Sequence, residues 1–241
     1  MDKLNRYDID HLCYLIAKEY KKQNRMNPEC EIIIVGGASV LLNYNFREET
    51  TDIDSLIKAS SNIKDIINKV GDENGLPVNW LNDDFKQTDS FSNNLVLHSK
   101  FYKTFCGCLN VRTITAEYLL AMKLRSLRDY KYDKSDIIGI MKEEKEKGTP
   151  SLFDKVARAY IELYGRELSA DAKDLLLSMD KADDLEELFY ETRDKERATK
   201  ERLTEFEEKY PNVLTKENVK EISENLSKAK PLSLSKKGED R

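Results

Sequence analysis

Apolar positions recur with two different periods along the chain, and their alternation predicts a mixture of helices and strands. A period near 3.6 predicts the early helices, at 8–22, 38–45, 62–70 and 116–127. Short apolar or alternating runs predict strands at 32–35, 52–54, 77–81, 101–105 and 109–114. The last two strands flank a tight turn and read as a hairpin at a sheet edge. This order predicts an α/β (α+β) fold with a mixed sheet of four or five strands flanked by helices.

The second half of the chain has almost only helical spacing, with few residues that favour strands. Within it, 187–209 is rich in charges of both signs and predicts a long exposed helix that ends before Pro211. These patterns divide the chain into a core at 1–149, a helical extension at 150–226 and a polar, disordered tail at 227–241. The extension carries no recognisable chemistry.

The composition of the chain argues against several classes of protein. Charged residues make up 35% of the chain and the net charge is −5, which argues against a general nucleic-acid coat. Basic residues nevertheless cluster between Lys123 and Lys134, where a solvated helix face and a phosphate-binding surface both stay open. No apolar run approaches the ~20 residues that span a bilayer, so the expectation is a cytoplasmic protein with no membrane partner. The cysteines are expected to be small buried hydrophobes and not a zinc set: Cys13, Cys30, Cys106 and Cys108.

The residues with the clearest chemistry lie between 31 and 57. The apolar run ends at Gly36 and Gly37, and a strand that turns into a helix there leaves backbone N–H groups free to hold an anion. Asp52 and Asp54 fall on one side of a strand because side chains alternate with a period of two. Adjacent carboxylates repel each other, and a divalent cation relieves the repulsion. An anion cradle beside such a pair suggests a metal–triphosphate site.

This arrangement resembles the nucleotidyltransferase superfamily, whose signature is an apolar strand, Gly-Gly or Gly-Ser, a helix, and Asp-x-Asp on the neighbouring strand. Gly36, Gly37, Asp52 and Asp54 fall on that pattern, with a spacing at the long end of the usual range. The segment 116–141 resembles the stand-alone bacterial branch that includes the AbiEii-like toxins. The resemblance covers roughly residues 9–141.

The resemblance implies roles for further residues. Lys123 would be a triphosphate or site lysine, with structural pairing to Asp133 or Asp136 as the alternative. The two aspartates would support the nucleotide site, or simply begin a helix. Ser39 could place its hydroxyl on a phosphate or cap the helix. Arg47 could reach the nucleotide, although a salt bridge to a neighbouring glutamate is favoured.

The main departure from the superfamily pattern is that the predicted third strand has no carboxylate at the position where the superfamily usually has one. Asn79 occupies the inward position of the predicted third strand, and the nearest acids, Asp83 and Asp84, follow that strand. Either acid could complete the set, with Asp83 the candidate catalytic residue, or the site could work with two carboxylates. His98, in the polar segment 85–100 predicted to cover the site, could act as a base or be solvated.

The resemblance therefore implies transfer of a nucleoside monophosphate from an NTP to a hydroxyl acceptor, on RNA such as tRNA, a protein or a small molecule. Asp52 and Asp54 would hold Mg²⁺ (or Mn²⁺). The branch implies a toxin of a toxin–antitoxin system with an antitoxin protein as partner. The alternative is a catalytically degenerate module that binds nucleotide or another protein.

Overall fold

The computed structural model describes residues 3–26, 29–180, 182, 184–215 and 217–228. This part of the chain contains five strands, nine α-helices and two short 3₁₀-helices, Asp84–Gln87 and Asn93–His98. The strands are β1 Cys30–Ile34, β2 Ile53–Lys58, β3 Leu81–Asn82, β4 Ser99–Phe105 and β5 Leu109–Ile114. The helices are α1 Arg6–Gln23, α2 Gly36–Asn43, α3 Ile63–Glu73, α4 Ala116–Ser126, α5 Asp133–Glu146, α6 Leu152–Tyr164, α7 Ala170–Asp180, α8 Leu185–Lys209 and α9 Val219–Lys228. No helix among these residues is long and apolar enough to cross a membrane.

The strands form one mixed sheet in the order β3-β2-β1-β5-β4, which confirms the predicted fold class. The central strand β1 runs antiparallel to β2 and parallel to β5. Its side chains are buried on both faces: Ile33 joins the core beneath α4–α8, and Ile32 and Ile34 join the core beneath α1 and α3. A strand covered on both sides needs apolar residues at every position, which explains the unbroken apolar run.

The predicted third strand at 77–81 is wrong except at its end. β3 contains only Leu81 and Asn82, and Asn79 is exposed with a φ of +64°. The reason is Trp80, which packs against α3 where Gly71 leaves room, since a Cβ at Gly71 would lie 2.5 Å from the indole nitrogen. That nitrogen donates to the Ile67 carbonyl oxygen at 3.2 Å. Burial of the indole therefore fixes the backbone before β3 in a turn.

The long charged helix is α8, close to its predicted bounds, but one side of it is buried. Phe189, Glu196 and Leu203 follow one another at seven-residue intervals and face α5 and its neighbours. The apolar residues of α6, α7 and α8 join the same core as those of α4 and α5. Of the tail predicted at 227–241, only the last two residues of α9 fall within the described residues.

Candidate active site

The glycine bend and the aspartate pair lie next to each other at one end of the sheet. The Val35 N–H donates to the Asp54 carbonyl oxygen at 2.9 Å, which ties the end of β1 to the start of β2. Gly36 has a φ of +59°, and a Cβ built on it would lie 3.2 Å from the Asp54 Oδ2 atom. Only glycine adopts this backbone conformation without strain, and only glycine leaves this room beside the carboxylate.

Asp52 and Asp54 line the same cavity, which has a volume of about 190 Å³. Asp52 immediately precedes β2 and Asp54 is its second residue, so the alternation of side chains brings them to one side. Burial and the negative charge of Asp52 together raise the pKa of the Asp54 carboxyl. Within the described residues, no lysine or arginine forms an ion pair with either carboxylate.

Positive charge dominates the rest of the cavity. The basic residues that line it are Lys3, Arg47, Lys123, Arg128, Lys131, Arg193 and Lys200. The acids that line it are Glu49, Asp52 and Asp54. A chain with a net negative charge has therefore concentrated basic side chains around one acidic pair, and such a cavity attracts anions.

Lys123 reaches the cavity from α4 and is held by two buried carboxylates. Its Nζ atom lies 2.8 Å from Asp133 Oδ1 and 2.8 Å from Asp136 Oδ2, and both aspartates are fully buried. Burial lowers the pKa of the Lys123 ammonium, but the two carboxylates outweigh it and leave the pKa above its ordinary value. Arg128 also contacts Asp133, from its Nε atom to Oδ2 at 2.9 Å. These charges form a connected network behind the cavity wall.

Arg47 joins the same network from the loop after α2. Its guanidinium forms an ion pair with Asp136, and the expected glutamate pairing is wrong, because its only contact with Glu49 is to that residue's carbonyl oxygen. The guanidinium also lies directly against Gly37, where a Cβ would come within 2.6 Å of Nη2. The absence of a side chain at Gly37 thus allows a cation to lie beside the start of α2.

Comparison with known families matches residues 10–143 to a family described as a nucleotidyltransferase of unknown function (DUF6036). The match covers more than half of the chain. The chain belongs to this family. The superfamily resemblance is thereby confirmed, and the resemblance to the AbiEii-like branch stays a prediction. No curated protein and no solved structure is significantly similar to the chain.

Seven of the predicted site residues fall into two groups. Gly36, Gly37, Asp52, Asp54 and Lys123 all line the cavity. Asp133 and Asp136 do not line it, but they hold Lys123, and Asp136 also holds Arg47. Lys123 therefore makes the structural pairing given as its alternative and still reaches the cavity.

The structure does not bring Ser39 to this cavity. Its side chain is fully buried, and its hydroxyl oxygen accepts the Ile114 N–H at 3.1 Å. The expected phosphate contact is therefore replaced by a link between α2 and the end of β5. His98 also lies outside the cavity lining, where its ring stacks on Tyr118 with centroids 3.7 Å apart and its Nε2 atom lies 2.8 Å from Glu162.

Neither acid after β3 lines the cavity. The Asp83 carboxylate is paired with Lys64 at 3.4 Å and with Lys86 at 2.9 Å. Asp84 is exposed. The third acid in the lining is Glu49, whose carboxylate lies 2.7 Å from the Lys3 ammonium. In the part of the chain that the structure describes, no group of three or more acidic, histidine or cysteine side chains could hold a metal ion.

The helical extension contributes two residues that sequence reasoning missed. Arg193 and Lys200 project from α8 into the cavity lining, on either side of the buried Glu196 in sequence. The Glu196 carboxylate accepts the Lys134 N–H at 2.9 Å and the Ser135 N–H at 3.2 Å. A carboxylate at the first turn of α5 is favourable for the helix dipole and fixes α8 against the nucleotidyltransferase core. The seven-residue spacing through Glu196 was the available signal.

The buried Glu196 is expected to make stability depend on pH. Burial is the main cause that raises its pKa from an ordinary value of 4.5 to about 7. Between these values the folded state binds more protons than the unfolded state, so stability should fall as the pH rises through this window. The loss should reach about 3 kcal/mol at most, from 1.36 kcal/mol per pKa unit. We expect urea unfolding at pH 4.5, 6 and 7.5 to show this decline in the wild type and not in Glu196→Gln.

A matched control for this effect is Glu191→Gln on the exposed side of α8. Glu191 is exposed and lies 3.6 Å from Lys195, so its removal should leave the pH dependence unchanged. An equal slope in the wild type and in Glu196→Gln would show that Glu196 titrates normally and is not buried as described.

Proposed function

We propose that the protein is a metal-dependent nucleotidyltransferase that moves a nucleoside monophosphate from an NTP to a hydroxyl acceptor. The observation that carries the proposal is the contact between Gly36 and Asp54, which brings an anion-holding bend against an unpaired carboxylate pair. The basic lining of the same cavity supports a polyanionic substrate.

Asp52 and Asp54 are suited to hold Mg²⁺ (or Mn²⁺). Hard cations prefer carboxylate oxygens, and Mg²⁺ is commonly bound by one or two carboxylates together with waters and substrate phosphates. Burial and the repulsion from Asp52 raise the pKa of Asp54, and such a cation relieves the repulsion. When bound, the cation would neutralise charge on the phosphates and orient them.

The reaction that fits this cavity is an in-line displacement at the α-phosphorus. The acceptor oxygen forms a bond to that phosphorus, and the bond from the phosphorus to the oxygen shared with the β-phosphate breaks. Pyrophosphate leaves with that oxygen and its electron pair, and the hydroxyl proton passes to water in the open cavity. The free N–H groups at the start of α2 would bind phosphate oxygens, and Lys123 and Arg47 would offset the charge that develops on the leaving group.

The acceptor hydroxyl would belong to RNA, foremost tRNA, to a protein or to a small molecule. The resemblance of 116–141 to AbiEii-like enzymes supports tRNA and a toxin role with an antitoxin protein as partner. A catalytically degenerate nucleotide-binding module is the second candidate. The position of Asp83, paired with two lysines outside the cavity lining, favours that alternative because only two aspartates are then available.

Incubation with each α-labelled NTP, Mg²⁺ and bulk tRNA tests the proposal. We expect label to pass to an acceptor with release of pyrophosphate, from one or more of the NTPs. EDTA should abolish the transfer, and added Mg²⁺ or Mn²⁺ should restore it. Tight nucleotide binding without pyrophosphate release, whatever acceptor is offered, would instead support the degenerate module.

A further inference from the structure

The seven cations in the cavity divide into two groups. Four of them form ion pairs with acids of the protein: Lys3, Arg47, Lys123 and Arg128. The other three, Lys131, Arg193 and Lys200, have no acidic partner among the described residues. Lys131 and Lys200 interact with Asp54 and Asp52 only at a distance longer than an ion pair.

Two of the three unpaired cations, Arg193 and Lys200, lie over the ring of Tyr132, which precedes α5. The Arg193 guanidinium carbon lies 5.3 Å from the ring centroid and the Lys200 Nζ atom lies 5.5 Å from it. Lys131 is the preceding residue in the chain. The face of the aromatic ring attracts both cations, and this attraction offsets part of the repulsion between their like charges. Burial and the charge of Lys131 indeed lower the pKa of Lys200.

Arg193 is the least exposed of the three cations, and one of its N–H groups is unsatisfied within the described part of the chain. Its Nη1 atom is buried and has no hydrogen-bond acceptor among the described residues. A buried donor that has no acceptor has lost its hydrogen bonds to water without replacing them, which lowers stability. The effect is larger for a charged donor. The Nη1 atom itself is enclosed by protein, but the Arg193 side chain lines the cavity, so an anion bound there can approach the guanidinium.

We propose that Lys131, Arg193 and Lys200 form a clamp that binds the phosphate groups of the substrate nucleotide, so that α8 is part of the nucleotide site. The inference rests on the proposed function. The three clamp residues line the same cavity as Asp52 and Asp54. A triphosphate bound there would meet both these cations and the proposed metal ligands. Arginine binds phosphate through a planar fork and lysine through a point charge.

The packing of α8 against α5 holds the clamp residues in place when no ligand is bound. Glu196 lies three residues after Arg193 and four before Lys200, so all three share one side of the helix. Its hydrogen bonds to the start of α5 hold that side against the core. The clamp therefore joins a helix outside the family match to the Tyr132 turn inside it.

The test compares two double variants of the full chain. Arg193→Met with Lys200→Met removes two clamp cations, whereas Arg197→Met with Lys195→Met removes two exposed cations that pair with Asp194 and Glu191 on the same helix. Isothermal titration with inorganic tripolyphosphate and with an NTP, without and with Mg²⁺, gives the Kd of each protein. We expect the Kd to rise about tenfold or more in the clamp variant and less than about twofold in the control.

A third variant keeps the test valid if the clamp double variant unfolds. Lys131→Met changes an exposed residue and should weaken tripolyphosphate binding in a folded protein, checked by its thermal midpoint. An unchanged Kd in the folded clamp variants overturns the clamp and leaves the proposed function standing if the wild type transfers label. Clamp-dependent tripolyphosphate binding without any transfer supports the clamp and overturns the proposed function. A wild type that binds neither probe overturns the clamp, and so does a change confined to acceptor affinity.

Discussion

Asp54→Asn is expected to abolish nucleotidyl transfer while leaving the protein at least as stable as the wild type. The substitution keeps the shape of the side chain and removes the charge that would bind the cation. Loss of a main electrostatic contact in the transition state should lower the rate by on the order of 10²–10³. It should also remove the repulsion from Asp52 and the burial penalty that together raise the pKa of Asp54. Label transfer and urea unfolding measured on the same preparation would show the two effects together.

Asp83→Asn is the matched control for this result. Asp83 is also an aspartate near the end of a strand, but its carboxylate pairs with Lys64 and Lys86 and lies outside the cavity lining. We therefore expect transfer within about twofold of the wild type and a stability loss below about 1 kcal/mol, as for other partly exposed pairs. A loss of transfer equal to that of Asp54→Asn would restore Asp83 as the catalytic residue that the sequence suggested.

Local pattern was enough to predict the sheet and the central part of the site. Gly36 and Gly37 follow a strand, Asp52 and Asp54 alternate on the next one, and neighbouring strands of one sheet bring such residues together. Lys123 could be predicted because a lysine among apolar helix positions must find an anion. These inferences need only the spacing of apolar positions along the chain and the chemistry of individual side chains.

Packing between distant elements decided what the sequence could not predict. Trp80 turns the backbone before β3 because it fits over Gly71, and a strand pattern contains no sign of that fit. Ser39 is buried because β5 passes beside α2 and supplies an N–H. Arg193 and Lys200 lie in a segment where charges of both signs predict solvent on every side. The seven-residue spacing of Phe189, Glu196 and Leu203 marks one side of this helix, but only the packing of α8 against α5 shows that this side is buried.

Lys123→Met is expected to cause the largest loss of stability of any single change at the site. It leaves the Asp133 and Asp136 carboxylates fully buried with one fewer cation, although Arg128 and Arg47 still contact them. Removal of one partner from a buried pair typically lowers the free energy of unfolding by about 3–5 kcal/mol. Urea unfolding at pH 7 measures the loss, and Lys134→Met is the control.

The control separates a buried charge network from an ordinary surface pair. The Lys134 ammonium lies 2.6 Å from Asp129, yet both side chains are well exposed, so its loss should lower the free energy of unfolding by less than about 1 kcal/mol. A similar small loss in Lys123→Met would contradict the buried network.

Lowering the pH should reduce the difference in free energy of unfolding between Lys123→Met and the wild type. Burial opposes ionisation of Asp133, but Lys123 and Arg128 outweigh it and hold the pKa of this carboxyl well below its ordinary value. The stability that the pair contributes is present above the unfolded-state pKa of about 3.9 and declines as the pH falls toward the folded-state pKa. In Lys123→Met the carboxylates lack that cation. Their protonation therefore removes an unfavourable buried charge and raises the free energy of unfolding of the variant. A difference between the two proteins that stays constant from pH 7 to pH 3 would show that the loss comes from packing and not from the charge of Lys123.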